Sequence, residues 1–291
     1  MNFGLSDEQE EIKRIAHALL EQRSGFGQVR AAAEQGAYDP RLWREMGGLG
    51  WPGIAVEERF GGLGLGYVEA AVLVEEAGAA LAGSPLLATL AAAAVLGEAG
   101  SKEQRAAWLP RLASGAASGA LGFVAEGVAV PVPDAAGADL VVLTEGGHAS
   151  LFVPAELTVA PFETIDPTRR YARVSAAPGS GEPLPGDPSP ALDGVAVLLA
   201  AELLGVSDRA LAMTVAYVKE RRQFGTPIGA FQAVAHRCAE MLVATEGARS
   251  ATYYAAWAAD AEPDQRVRAA ALAAATAAEA AREVTAAAIQ A

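Results

Sequence analysis

The sequence predicts a mostly α protein with a small β domain in its middle, and three observations carry that expectation. Apolar residues recur at helical spacing over long stretches at both ends of the chain. Between them lies a region of short β-type runs separated by Gly, Pro and Asp. A segment dense in Pro and Gly then precedes a return to helical spacing. The expected divisions are an N-terminal helical domain over 1–117, a middle β domain over 118–187 and a C-terminal helical bundle over 188–291.

Taken in order, Ser6 can cap a first helix together with Gln9, and Ile12, Ile15, Ala16 and Leu19 follow at helical spacing. Trp43, Met46 and Leu49 continue the pattern before Gly47-Gly48, Gly50 and Pro52 punctuate it. Phe60-Gly61-Gly62-Leu63-Gly64 makes a Gly-rich loop, and Tyr67 to Leu81 resumes as helix. The longest uncharged run, Ala77 to Gly97, is long enough to span a bilayer. It is mostly alanine and is broken by Gly83-Ser84-Pro85, so it reads as two buried helix pieces meeting at a turn. Ser101 to Leu112 is a short closing helix.

In the middle region Leu140 to Leu143, Leu151 to Val153 and Tyr171 to Val174 read as strands, with Gly146-Gly147 placed as in a hairpin. Ala177 to Pro190 reads as a linker, unsuited to helix or central strand. Three long helices are expected after it, Gly194 to Arg222, Phe231 to Ala259 and Asp264 to Gln290, with breaks at Gly225 to Gly229 and at Glu262-Pro263. The third reaches Ala291 without a capping glycine or polar tail, which reads as a sequence cut short there.

Across 291 residues, 22 Lys and Arg stand against 35 Asp and Glu, a formal net charge of −13. Such a surface repels a phosphate backbone or an anionic membrane, so neither nucleic acid nor membrane is an expected partner. Cys238 is alone and cannot form an internal disulfide, and His17, His148 and His236 make no metal-ligand cluster with it. A reducing, cytoplasmic location fits, and the acidic, amphipathic N-terminus lacks the regions of a signal peptide.

Few motifs carry chemistry. The Gly-rich loop follows helices and not a strand, so it reads as a structural turn before a dinucleotide fingerprint. Glu75-Glu76 points to two faces of its helix and makes no acid/base dyad, and His236 reads as packed or solvated. Asp166-Pro167-Thr168-Arg169-Arg170 is either a domain-edge turn with a surface arginine pair or an arginine contact to a phosphate. The segment from Lys219 to Gln232 is the most specific. It is either a helix-helix corner with solvated arginines or a diphosphate site, its two arginines and two amides donating beside the flat Phe224 ring.

The pattern R-x-x-F-G-x-x-I-x-x-F-Q at this corner resembles the acyl-CoA dehydrogenase family. The opening helix, Leu42 to Trp51, and Glu57 to Gly64 resemble three further motifs of that family in the same order, so the resemblance covers essentially the whole chain. It implies an oxidoreductase of lipid metabolism that uses FAD for α,β-dehydrogenation of an acyl-CoA thioester. A carboxylate would take the Cα proton while the flavin accepts a hydride from Cβ. By the match, Arg221 and Gln223 would contact the FAD diphosphate, and Phe224 and Gln232 would lie along the cofactor. Gln290 would sit where the family has a Gln reaching the FAD of a neighbouring subunit. The implied assembly is a homodimer or tetramer, or a heterotetramer with a longer acyl-CoA dehydrogenase chain.

The chain also departs from the family pattern. The stretches Leu121 to Gly127 and Val128 to Pro133 carry no Ser or Thr where the family's hydroxyls hold the flavin ring and thioester carbonyl. One family location of the base falls on Val195 and the other lies beyond Ala291, so no catalytic residue is assigned. Glu202, two turns further on, reads as a helix-face or interface residue. The alternatives are therefore a non-catalytic FAD-binding subunit of a heteromeric enzyme, or a structural protein with the fold and no FAD.

Overall fold

The computed structural model describes residues 4–177 and 179–291. Helices α1 (Asp7–Arg23), α2 (Phe26–Gln35), α3 (Pro40–Gly48), α4 (Tyr67–Ala79), α5 (Leu86–Ala99) and α6 (Lys102–Ala113) precede the sheet. Its strands are β1 (Gly119–Ala125), β2 (Val128–Pro133), β3 (Leu140–Glu145), β4 (His148–Phe152), β5 (Leu157–Phe162), β6 (Tyr171–Ala176) and β7 (Glu182–Pro183). After it come α7 (Ser189–Glu220), a small hairpin β8 (Arg222–Gln223) and β9 (Thr226–Pro227), α8 (Gln232–Ala261) and α9 (Pro263–Gln290). The chain forms two compact units: Arg23–Ala70 with Gly83–Val195, and Met1–Gln22 with Ala71–Ala82 and Ala196–Ala291.

In the unit that holds the sheet, strand order is β5-β6-β2-β1-β3-β4-β7. β1 and β3 are parallel, and the other neighbours pair antiparallel. Strand β3 is buried on both faces, which is why Leu140 to Leu143 is a continuous apolar run without alternation. Leu140 and Val142 join a core with Ala92, Val95 and Leu96 of α5, while Val141 and Leu143 join a second core with Val132 and Val174. Helix α5 is apolar all round for the same reason.

The other unit is built from α1, the second half of α4, most of α7, and α8 and α9. Helices α8 and α9 face one another through small side chains, among them Ala248, Ala255, Ala273 and Ala277. A tighter approach joins α4 to α7. A Cβ on Gly205 would stand 2.0 Å from the Glu75 carbonyl, and one on Gly78 2.3 Å from that of Glu202. Only glycine lets the two backbones meet there.

Helix α7 and strands β5 and β7 are among the elements that differ from the sequence expectation. Helix α7 begins at Ser189, not Gly194, because Asp187 Oδ1 accepts from Ser189 N at 2.9 Å and Pro190 falls in the first turn, where its missing N–H is no loss. The Pro/Gly-dense linker supplies β7, a two-residue edge strand pairing with Ser150 and Leu151. Strand β5, mostly exposed, lies in a stretch that showed no β-type run.

Candidate functional site

The corner between α7 and α8 is a tight hairpin. Arg222 pairs with Pro227 and Gln223 with Thr226, and Ile228 N donates to Arg221 O at 2.8 Å. The two turn residues, Phe224 and Gly225, have φ of 51° and 79°. A two-residue turn of this hand matches strand twist, and glycine takes it freely whereas phenylalanine does not. The Phe224 ring is 95% exposed, so burial does not repay the strain. Phe231 meets it edge-on with ring centroids 6.4 Å apart.

Around that ring the polar groups face outward. Arg221, Arg222, Gln223 and Gln232 are all exposed. Arg222 Nη1 donates to Gly225 O at 3.3 Å, and Gln223 Nε2 to Arg222 O at 2.9 Å, contacts within the hairpin that solvent or a ligand can replace. Phe231, at the N-cap of α8, makes no side-chain cap hydrogen bond to the first turn among the described residues. Gln290 is also exposed, and its carbonyl accepts from Arg237 Nη1 at 2.9 Å, which ties the end of α9 to the second turn of α8. The hairpin thus brings together Arg221, Gln223 and Phe224, with Gln232 at the start of the next helix, while Gln290 stands at the end of α9. This donor set fits a diphosphate with an aromatic system beside it.

Strands β1 and β2 carry no hydroxyl, and Phe123 and Val130 are exposed. Val195 is buried in the apolar core with Leu96 and Leu184, and Glu202 is half-buried on α7. The corner residues suit a diphosphate, and strands β1 and β2 offer no hydroxyl to a flavin ring or a thioester carbonyl.

The remaining motifs have local structural contacts. In the Gly-rich loop, Leu63 N, Gly64 N and Leu65 N donate to the carbonyls of Gly53, Val56 and Ile54, each at 2.9 Å. Those amides are committed, and a Cβ on Gly62 would lie 2.0 Å from the Val56 carbonyl. In Asp166 to Arg170 the Asp166 carboxylate accepts from Thr168 N at 2.9 Å, forming a turn. Arg170 lies flat over the Tyr38 ring, 3.9 Å from its centroid. Tyr38 Oη donates to Asp134 at 2.6 Å, and burial first and that carboxylate second push the phenol well above its ordinary pKa. His236 is exposed on α8.

A buried polar cluster was missed. Glu75 and Glu76 are only 3% and 8% exposed, and both carboxylates lie 3.7 Å from Lys13 Nζ, so they do not face apart as their sequence positions suggest. Arg249 and Tyr253 donate to Glu75, while His17 pairs with Glu76. The usable signal was two consecutive acids inside the otherwise apolar run Ala70 to Ala82.

A helical N-terminal region, a seven-stranded sheet and long C-terminal helices joined at an arginine- and phenylalanine-bearing corner define an acyl-CoA dehydrogenase fold. Residues 6–116 match the family described as acyl-CoA dehydrogenase, N-terminal domain, and residues 190–291 match acyl-CoA dehydrogenase, C-terminal domain. Acyl-CoA dehydrogenase IpdE2 of Mycobacterium tuberculosis is 38% identical over 250 residues, covering 84% of this chain and 74% of the relative. A variant of the Tcur3481-Tcur3483 steroid ACAD superposes with a TM-score of 0.89 at 28% identity, over 98% of this chain and 86% of the other. The ChsE4-ChsE5 complex of Mycobacterium tuberculosis shares the fold, with a TM-score of 0.88 at 23% identity over 100% and 87% of the two chains. The chain belongs to the acyl-CoA dehydrogenase family, whose members are FAD-dependent oxidoreductases.

Proposed function

We propose that this chain is one subunit of an FAD-dependent acyl-CoA dehydrogenase, completed by a longer dehydrogenase chain that contributes the base. The observation that carries the proposal is the contrast within the chain: an arginine- and amide-bearing corner open to solvent, and a buried, apolar Val195 at the position where the family resemblance puts the base. Bound flavin would supply the oxidising power for removing a hydride from Cβ of an acyl-CoA thioester.

In this reading Arg221 and Gln223 hold the diphosphate, Phe224 offers a flat apolar face, and Gln232 lies along the cofactor. Gln290 reaches toward a flavin shared with the neighbouring subunit. Val195 cannot ionise, so proton removal from Cα falls to the partner, as do the hydroxyls absent from β1 and β2. Assembly is supported by apolar side chains that α8 and α9 leave in water, among them Leu242, Val243, Val267, Leu272 and Ile289. The chain pair in the name of the steroid ACAD relative gives the same support. A single cysteine supports a cytoplasmic setting.

The test is flavin content and dye-coupled oxidation of acyl-CoA thioesters, for the chain alone and with a longer dehydrogenase chain bearing Glu or Asp at the position of Val195. Lacking a base, the chain alone should be slower by about 10² to 10⁴. Arg221→Ala should weaken flavin retention by about 1.5 to 3 kcal/mol. Robust turnover by the chain alone, abolished by Glu202→Gln, would move the base to Glu202 and overturn the proposal.

A further inference from the structure

Helix α1 is seventeen residues long and fully buries only Ala16 and Leu20. Ile12 and Leu19 are half-buried. That is a small apolar contact against the entropy of ordering a helix. What α1 brings instead is charge. Lys13 and His17, one turn apart, reach the two buried carboxylates of α4: His17 Nδ1 lies 2.9 Å from Glu76 Oε2, and Lys13 Nζ is 3.7 Å from Oε1 of both Glu75 and Glu76.

The two carboxylates are served differently. Glu75 accepts from Arg249 and from Tyr253 Oη, both on α8, so it keeps partners whatever α1 does. Glu76 takes its cation from α1. A buried carboxylate left without a cation is costly, so the docking of α1 and the charge on Glu76 are linked.

We propose that α1 is an electrostatic strap, latched by Lys13 and His17 onto Glu76 and Glu75, which loosens as salt is added. The sign follows from the groups that face the latch. On α4 these are Glu75 and Glu76; on α8, Arg249, Tyr253 and Glu246; on α7, Asp208, paired with Arg249; on α1 itself, Lys13. Glu10, Arg14 and Glu21 flank them along α1. The four carboxylates of the cluster outnumber its two permanent cations. Because Lys13 is one-third exposed, salt reaches it.

The experiment is hydrogen exchange read by mass spectrometry on the full chain in its native assembly, at low salt and at about 1 M salt. Protection of residues 7–23 should fall with salt, and Lys13→Met should lower it about five- to tenfold while α8 and α9 stay unchanged. Lys13→Arg should restore it. In Glu76→Gln, which needs no cation, the salt dependence of α1 should vanish. The proposal fails if that dependence persists in Glu76→Gln, if Lys13→Met leaves residues 7–23 as protected as before, or if protection drops equally throughout the chain.

Discussion

Each compact unit contains a tyrosine, a carboxylate and an arginine in contact, and the two sets are arranged differently. In the unit with α8, Tyr253 and Arg249 both donate to the Glu75 carboxylate, and Arg249 continues to Asp208 and Glu246. In the unit with the sheet, Tyr38 donates to Asp134, but Arg170 stacks on the Tyr38 ring, and its buried Nη2 has no hydrogen-bond partner among the described residues. In the first set charge meets charge, and burial of Glu75 is balanced. Burial alone would lower the Arg249 pKa, yet Glu75, with Glu246 and Asp208, holds it above the ordinary value. The second arrangement orients a turn through a cation over an aromatic face and leaves one donor unmet. Two sets of the same three groups therefore do different work: one cross-links α4, α7 and α8, the other fixes the chain entering β6.

Substituting the arginines is the strongest way to break this contrast. Arg249→Met should cost about 3 kcal/mol in chemical denaturation, because it leaves a buried Glu75 without its main cation. Arg170→Met should cost about 1 kcal/mol or less, since stacking is lost but an unmet donor goes with it. Equal losses would mean that the second guanidinium is as well paired as the first. A smaller difference is expected between the phenols. Tyr38→Phe should cost about 2 kcal/mol and Tyr253→Phe about 1 kcal/mol, because Glu75 keeps Arg249. Reversal of that order in the same denaturation series would show that Arg249 does not compensate for the lost hydroxyl.

Local chemistry was legible in the sequence wherever partners lie close along the chain. Ser6 N donates to Gln9 Oε1 at 2.9 Å and Gln9 N to Ser6 Oγ at 3.2 Å, the reciprocal cap expected from a Ser and a Gln three apart. The Gly146-Gly147 turn joins β3 to β4 with Glu145 opposite His148, and the run Ala77 to Gly97 is two helices meeting at a turn. The fold class followed from such patterns. Helix α2 was not legible, since it buries no side chain and so has no apolar stripe to read. The corner motif was readable as letters, but the exposure of Phe224 was not, because it depends on a two-residue turn with both residues at positive φ. The Glu75 cluster was invisible for a different reason. Glu75 and Arg249 stand 174 residues apart, and no local pattern pairs them.

The smallest expected effect is an alkaline one, and it sharpens the comparison by treating both phenols as probes. Burial is the leading cause that raises Tyr38 and Tyr253 above the ordinary phenol pKa, and the Asp134 or Glu75 carboxylate adds to it. In the unfolded chain a phenol ionises near about 10. A group whose folded pKa is raised contributes stability that is complete below the unfolded pKa and declines as pH rises past it. Stability should therefore fall beyond about pH 10, and phenolate absorbance from these two residues should appear together with the loss of helical circular dichroism. Tyr38→Phe and Tyr253→Phe should each remove one tyrosine's absorbance from that unfolding step. Nearby guanidinium groups oppose the upward shift, Arg169 and Arg170 at Tyr38 and Arg249 at Tyr253. Arg170→Met and Arg249→Met should accordingly make the remaining phenol still harder to ionise in the folded state. If either Phe variant instead loses amplitude from a phase that precedes unfolding, that phenol is open to solvent and its set of three does not hold the carboxylate as described.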